Sequence, residues 1–258
     1  MKKLGIIGCG WLGKKIAKKV SGSFEIFTTT TSKEKLNELK TLNFNPHLIL
    51  FSDQQISNYQ QIFDNQDIII ITVPFSQRTP ISTLKIRFQN IINFIGDFKG
   101  QLFLCSSTGI YPQIEEIITE NSVSENLLNQ SIFSIEKLMQ ENYPQLNILR
   151  FGGLMGDDRI FSKYYQNKEI AEPHQVVNHT HFEDICKVFL DLIKLNINCE
   201  TFNFVSPNHP SKIEVYNCQT KNNCEKIDDQ KFGKRISSVK IIERLNYKFI
   251  HPNPKYFK

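Results

Sequence analysis

Six residues near the start of the chain, Gly8-Cys9-Gly10-Trp11-Leu12-Gly13, have the spacing G-x-G-x-x-G. Glycines at those intervals let a backbone turn sharply, approach a pyrophosphate and seat a helix close to a strand. The chemistry is anion holding, because the free amides of a helix N-terminus face a phosphate. Gly8 is expected to make the tight turn, Gly10 to admit the diphosphate and Gly13 to pack the helix, which Trp11 and Leu12 open. The expected ligand is a nicotinamide dinucleotide.

Which dinucleotide depends on the end of the next strand. An acid there bonds a ribose 2′-OH, the arrangement that selects NAD. That place falls near Thr29, within Thr28-Thr29-Thr30-Thr31-Ser32-Lys33, and no acid stands in it. The hydroxyls of Thr29, Thr30 and Ser32 and the Lys33 ammonium can bond a 2′-phosphate that a carboxylate would repel. The stretch therefore favours NADP, with NAD possible, and Ser32 can cap a helix as well. Asp53 could bond the adenine amino group or cap the helix after it. Val73-Pro74 ends a strand where the chain turns past the cofactor, or is a plain terminator.

These groups need a scaffold. Apolar runs at Lys3–Ile7, Phe24–Thr28, Pro46–Phe51, Asp67–Val73, Gln101–Ser106 and Asn147–Phe151 read as strands. Several are continuously apolar, as parallel strands covered on both faces are. Helical stretches lie between them at Leu12–Ser21, Lys33–Thr41, Gln55–Phe63, Ile81–Phe98 and Gln130–Asn142. The alternation predicts an α/β fold, a Rossmann doubly wound parallel sheet over residues 1–151. Residues 152–258 form a mixed segment: a helix at Phe182–Leu195 and a strand at Thr201–Val205 join the core, and a small C-terminal substrate lobe follows. One more helix is expected at Ser237–Leu245.

The 258 residues are 40% hydrophobic and 22% charged, an ordinary globular balance. The net charge of +5 is dispersed, so no basic nucleic-acid face is indicated. No apolar run reaches membrane-span length, and Leu4–Ile7 is too short for a signal peptide. The expectation is a cytoplasmic monomer or homodimer acting on a small molecule, with no nucleic-acid or membrane partner. Six cysteines without a CxxC pair are expected to be free thiols.

A second informative stretch runs from a buried strand into hydroxyls and a tyrosine, Phe103-Leu104-Cys105-Ser106-Ser107-Thr108-Gly109-Ile110-Tyr111. Together with Gly8–Gly13, Thr28–Lys33, Leu149–Gly153, Asn178–Asp184 and Gly233–Ser237, it resembles the extended short-chain dehydrogenase/reductase superfamily of NAD(P)-dependent epimerase/dehydratase type. The chain is most similar to small atypical bacterial members with a GCGWLG start. In that family a Ser or Thr bonds the substrate oxygen and a Tyr moves its proton. A Lys four residues later lowers the Tyr pKa and holds the nicotinamide ribose. The resemblance implies Ser107 and Lys137 for two of these roles and sets Phe133 where the Tyr belongs. Tyr111 is then the substitute acid, or a ring packed over the site. Tyr164 and Lys168 do form Y-x-x-x-K, but after the Asn147–Phe151 strand rather than before it, which is the wrong context. Thr108, Gly152, Gly153 and His181 are implied to line the substrate cleft. His179 and His181 have no further ligands evident in sequence, so no metal is expected.

Two functions follow. One is an NADP-dependent oxidoreductase or epimerase-like enzyme acting on the carbonyl or hydroxyl of a small molecule, sugar-derived or simpler. The other, favoured by Phe133, is a catalytically silent redox sensor or scaffold that binds NAD(P). A hydroxyacid or prephenate-type dehydrogenase would share the glycine motif but add a long helical domain. The tail with Pro207, Pro210, Pro252 and Pro254 does not fit one.

Overall fold

The computed structural model describes residues 1–52, 63, 65–75, 79–166, 168–221, 224 and 230–258. Seven strands form one parallel sheet: β1 (Lys2–Ile7), β2 (Phe24–Thr30), β3 (Pro46–Leu48), β4 (Ile68–Ile71), β5 (Gln101–Ser107), β7 (Asn147–Phe151) and β10 (Thr201–Phe204). Their order is β10-β7-β5-β4-β1-β2-β3. Two short parallel pairs lie outside it. β6 (Ile117–Ile118) pairs with β11 (Arg235–Ile236), and β8 (Gly153–Met155) pairs with β9 (His179–His181). The helices are α1 (Trp11–Val20), α2 (Lys33–Thr41), α3 (Ile81–Ile95), α4 (Gln130–Asn142), α5 (Phe182–Lys194), α6 (Lys212–Lys221) and α7 (Val239–Leu245).

This is the doubly wound Rossmann architecture, and the period-two alternation of strand side chains explains its two cores. Leu4, Ile6, Ile68, Ile70 and Phe103 point to the face covered by α1 and α5. Ile7, Ile69, Ile71, Leu102 and Leu104 point to the face covered by α3 and α4. The chain reverses its winding between β1 and β4, which pair as Ile7 with Ile71. Ligands of such sheets bind in the crevice beyond the strand ends at that reversal.

Several expected boundaries move; β2, for one, runs on to Thr30, and β4 is confined to Ile68–Ile71. β3 stops at Leu48 rather than Phe51. α3 stops at Ile95 rather than Phe98, because Gly96 leaves the helix with φ +65°, a conformation that suits glycine. α7 begins at Val239 rather than Ser237. The expected helix at Gln55–Phe63 and the residue Asp53 fall outside the described residues, apart from Phe63, which packs in the core. The cysteine expectation needs correcting as well: Cys218 at the end of α6 and Cys224 are joined in a disulfide, with Cα atoms 4.3 Å apart. A separation of six residues lets the chain fold back far enough to join them. Among the described residues no helix is long and apolar enough to cross a membrane.

Candidate functional site

A cleft of about 500 Å³ opens at the winding reversal. It is lined by Gly8, Cys9 and Gly10, by Thr29–Thr31 and Lys35, by Ile49–Ser52, by Val73-Pro74 and by Arg87 of α3. The glycine loop is braced from both neighbouring strands. The Gly8 amide donates to Thr29 Oγ1 at 2.9 Å, and the Cys9 amide donates to the Thr29 carbonyl at 2.7 Å. From the other side Thr72 Oγ1 donates to the Gly8 carbonyl at 2.7 Å. Gly8 has φ +85°, and a Cβ there would meet Val73 Cγ2 at 2.8 Å. A Cβ on Gly10, by contrast, would find nothing nearer than the Gly8 carbonyl oxygen at 3.8 Å. The space beside Gly10 is therefore open to a ligand and is not needed for packing.

No side chain caps the N-terminus of α1. Its first-turn amides, beginning with Trp11 and Leu12, are left to an anion, as a diphosphate-binding turn requires. Ile49, Leu50, Phe51, Val73 and Pro74 give the cleft apolar walls. Open space at Gly10, uncapped amides and apolar walls together fit a dinucleotide. Cys9 takes no part as a thiolate, since burial pushes its pKa up to about 12.

The hydroxyls at and just beyond the end of β2 are more committed locally than their sequence suggests. Thr29 accepts from Gly8, Thr30 Oγ1 accepts from the Ser32 amide at 3.4 Å, and Ser32 Oγ accepts from the Lys35 amide to cap α2. Each of these oxygens keeps its own hydrogen to donate. Lys33 does not line the cleft; the cations there are Lys35, in the same helical turn, and Arg87. A shallower pocket adjoins through Cys9, Gly10 and Lys35, and there Glu38 meets Lys14 in an ion pair of 2.7 Å. The Lys14 bond holds the Glu38 carboxyl below its usual pKa, so the acid stays ionised but neutralised by its partner. Sequence spacing marks neither Lys35 nor Arg87, because each reaches the cleft only through the setting of its helix.

The residues expected to do catalysis are not brought together. Ser107 ends β5, half-buried, and its Oγ accepts from the Gly109 amide at 3.0 Å. Lys137 is exposed in a groove between α3 and α4, beside Lys85, Gln89 and Glu141, and does not line the cleft. Tyr111 is not a mobile acid. It is 3% exposed, and its hydroxyl is fixed between Arg150 Nη1 and Asn203 Oδ1, both at 2.7 Å. Burial raises its pKa despite the Arg150 charge. Phe133 packs, with Phe75, against the apolar cluster of Ile110, Tyr111 and Val205.

The implied substrate residues also serve packing. Thr108 is buried, and its carbonyl accepts from Lys234 Nζ at 3.1 Å. A Cβ on Gly152 would lie 2.0 Å from the Asn178 carbonyl, and one on Gly153 would lie 2.6 Å from the His179 ring. Both glycines are thus required by close approach of the β8 and β9 segments. His181 is buried at the start of α5.

A buried polar network lies beneath the hydroxyl turn, and nothing in the sequence announces it. Arg150 of β7 meets Glu136 of α4 through Nη2 at 2.6 Å and Nε at 3.1 Å. Ser106 Oγ donates to the same carboxylate at 2.5 Å. Arg150 is held in its charged form by Glu136 against the cost of burial. Lys234 staples the turn from the other side, with Nζ donating to the Thr108 and Tyr111 carbonyls. Burial lowers its pKa to about 8.

Residues 3–84 match the family model described as "NADP oxidoreductase coenzyme F420-dependent". The chain is 22% identical to Protein YeeZ of Escherichia coli over 270 aligned positions, covering 98% of each. It is similar in structure to a conserved protein of unknown function from Silicibacter pomeroyi DSS, with TM-score 0.75 and 15% identity over 99% of this chain and 96% of that one. It is similar also to dTDP-glucose 4,6-dehydratase from Bacillus anthracis, solved in complex with NAD. That match has TM-score 0.72 and 14% identity over 99% of this chain and 94% of that one.

Proposed function

From a chain with the Rossmann fold of the extended short-chain dehydrogenase/reductase enzymes, we propose an NADP-preferring oxidoreductase or epimerase-like enzyme acting on a carbonyl or hydroxyl carbon of a small molecule. The observation that carries the proposal is the braced glycine loop, with open space at Gly10 and uncapped helix amides above a cleft bearing Lys35 and Arg87. The cofactor would supply hydride transfer at its nicotinamide carbon. The chain's residues would do the rest. The α1 amides hold the diphosphate, Lys35 and Thr31 meet a 2′-phosphate, and the apolar walls exclude water from the adenine. Ser107 Oγ accepts from the Gly109 amide and keeps its own hydrogen, which would be donated to a substrate oxygen. Glu136, Arg150 and Lys234 keep its turn in place.

A second reading is a silent NADP-binding sensor. It is favoured by the apolar Phe133 ring, by the immobilised Tyr111 hydroxyl and by Lys137 lying outside the cleft. Titration with NADPH and NADH tests the cofactor; tighter NADH binding refutes the preference. Incubation with NADPH and a panel of carbonyl compounds tests the chemistry. Tight NADPH binding without turnover of any of them selects the sensor.

A further inference from the structure

A cluster away from the cleft gathers two imidazoles and a carboxylate. His181 ends β9, Glu183 lies in the first turn of α5, and His251 lies in the C-terminal segment. Their candidate donor atoms all fall within 4.8 Å of one another. His251 Nε2 is 2.5 Å from Glu183 Oε2, and His181 Nδ1 is 3.9 Å from the same oxygen. The two imidazole centroids are 3.7 Å apart.

Position alone does not make a site, but here the parts are held. Buried Asp184 fixes the segment that carries His251: Oδ1 accepts from the Ile250 amide at 2.7 Å and from the Tyr247 hydroxyl at 3.0 Å, and Oδ2 accepts from the His251 amide at 2.9 Å. His181 is 2% exposed and wedged under Gly156, where a Cβ would meet its Nε2 at 2.3 Å. That Nε2 lies 3.4 Å from the Lys258 carbonyl, while Nδ1 faces Glu183. With Nε2 directed at a carbonyl oxygen, Nδ1 is the nitrogen left to a metal, which is how outer-shell bonding orients metal-bound histidines.

We infer that His181 Nδ1, Glu183 and His251 Nε2 form a binding site for a divalent transition metal of the zinc type, with the fourth position left to water. Two neutral imidazoles and one carboxylate leave the bound ion a single net positive charge. Lys19 is the cation that faces Glu183 and would oppose it. Ligands about 2.1 Å from a tetrahedral ion stand about 3.4 Å apart, so metal entry would part Glu183 from His251 by about 1 Å. The long contact from the Glu183 amide to His181 Nδ1, 3.4 Å, would be given up. The metal would tie the C-terminal segment to α5, beside Phe182 and the α1 helix it covers.

The test uses the full chain, stripped with chelator and titrated with zinc chloride against a chromophoric competitor. Cobalt(II) absorption reports the coordination. One ion per chain at micromolar affinity or tighter is expected, with tetrahedral cobalt bands. Both His251→Ala and Glu183→Gln should weaken binding at least about 100-fold. These two side chains are partly exposed, so the variants should fold, as circular dichroism will check. Cys199→Ser, which removes an exposed thiol, should bind as the parent does. Absence of stoichiometric binding overturns the assignment. So does binding that survives either ligand substitution, which leaves only a hydrogen-bonded His–Glu pair.

Discussion

Replacing Gly10 with alanine separates cofactor holding from folding. In the protein the new methyl meets nothing closer than 3.8 Å, and Gly10 already has a negative φ of −86°. Gly10 is also the N-cap of α1, where Ala is less favourable than Gly, so stability should fall by about 1 kcal/mol at most. The methyl does occupy the open space through which a diphosphate must reach the α1 amides. Hydrogen bonds to a charged group contribute about 1.5–3 kcal/mol each, and two are lost if the phosphate is held off. The loss is then about 3–6 kcal/mol, or roughly 10²–10⁴ in Kd at about 1.4 kcal/mol per decade. Gly8→Ala should behave in the opposite way. Its φ of +85° and the 2.8 Å contact to Val73 place the cost in the fold itself. The left-handed conformation adds about 1–2 kcal/mol and crowding about 1–3 kcal/mol. Calorimetric titration with NADPH and thermal unfolding of each variant give both quantities. A folded Gly10→Ala protein that binds NADPH within threefold of the parent would refute the placement of the diphosphate at this loop.

Lys35→Glu should weaken NADPH about 10–100-fold while leaving NADH within about threefold, since only the 2′-phosphate is addressed; paired titrations check it. Arg150→Met should cost about 3–5 kcal/mol in urea unfolding, because it strands the buried Glu136 carboxylate, and adding Glu136→Leu should restore most of the loss. For Lys234, the folded pKa of about 8 lies below its ordinary 10.5. Between those values only the unfolded chain holds the proton, so this group's contribution to stability rises with pH through that window. Relative to Lys234→Met, the parent should gain about 2 kcal/mol from pH 7.5 to 9.5. A flat difference would show that the amine is not held charged against its burial.

The sheet was legible because short, largely apolar runs alternate with stretches of helical spacing; Ile68–Ile71, four β-branched residues in a row, is one such run. The glycine loop was legible because its spacing is dictated by backbone geometry within one short segment. What failed was anything dependent on helix rotation or distant partners. Lys35 rather than Lys33 lines the cleft, and which residue of the first turn of α2 does so depends on the rotation of that helix. Arg150 and Glu136 meet across a strand and a helix, and His251 reaches Glu183 from 68 positions away. α6 did carry a local sign. Ser211 and Glu214 exchange bonds as a capping box, the Ser211 amide donating to Glu214 Oε2 at 2.7 Å. Its buried residues, Glu214, Val215 and Cys218, are too few and too mixed to show an apolar stripe.

Trp11 is the single tryptophan of the chain. It opens α1, and its indole Nε1 donates to Asp158 at 2.6 Å while Arg159 lies 4.1 Å over the ring and Phe182 meets it edge-on at 5.9 Å. The indole emission of this protein therefore originates at one junction, where the glycine loop meets the turn after β8. Its wavelength and lifetime read the electric field and mobility at that junction, with no label attached. Reduced nicotinamide absorbs in the band where indole emits, so a dinucleotide in the adjacent cleft would quench that emission by resonance transfer, turning the chain into its own optical gauge of occupancy.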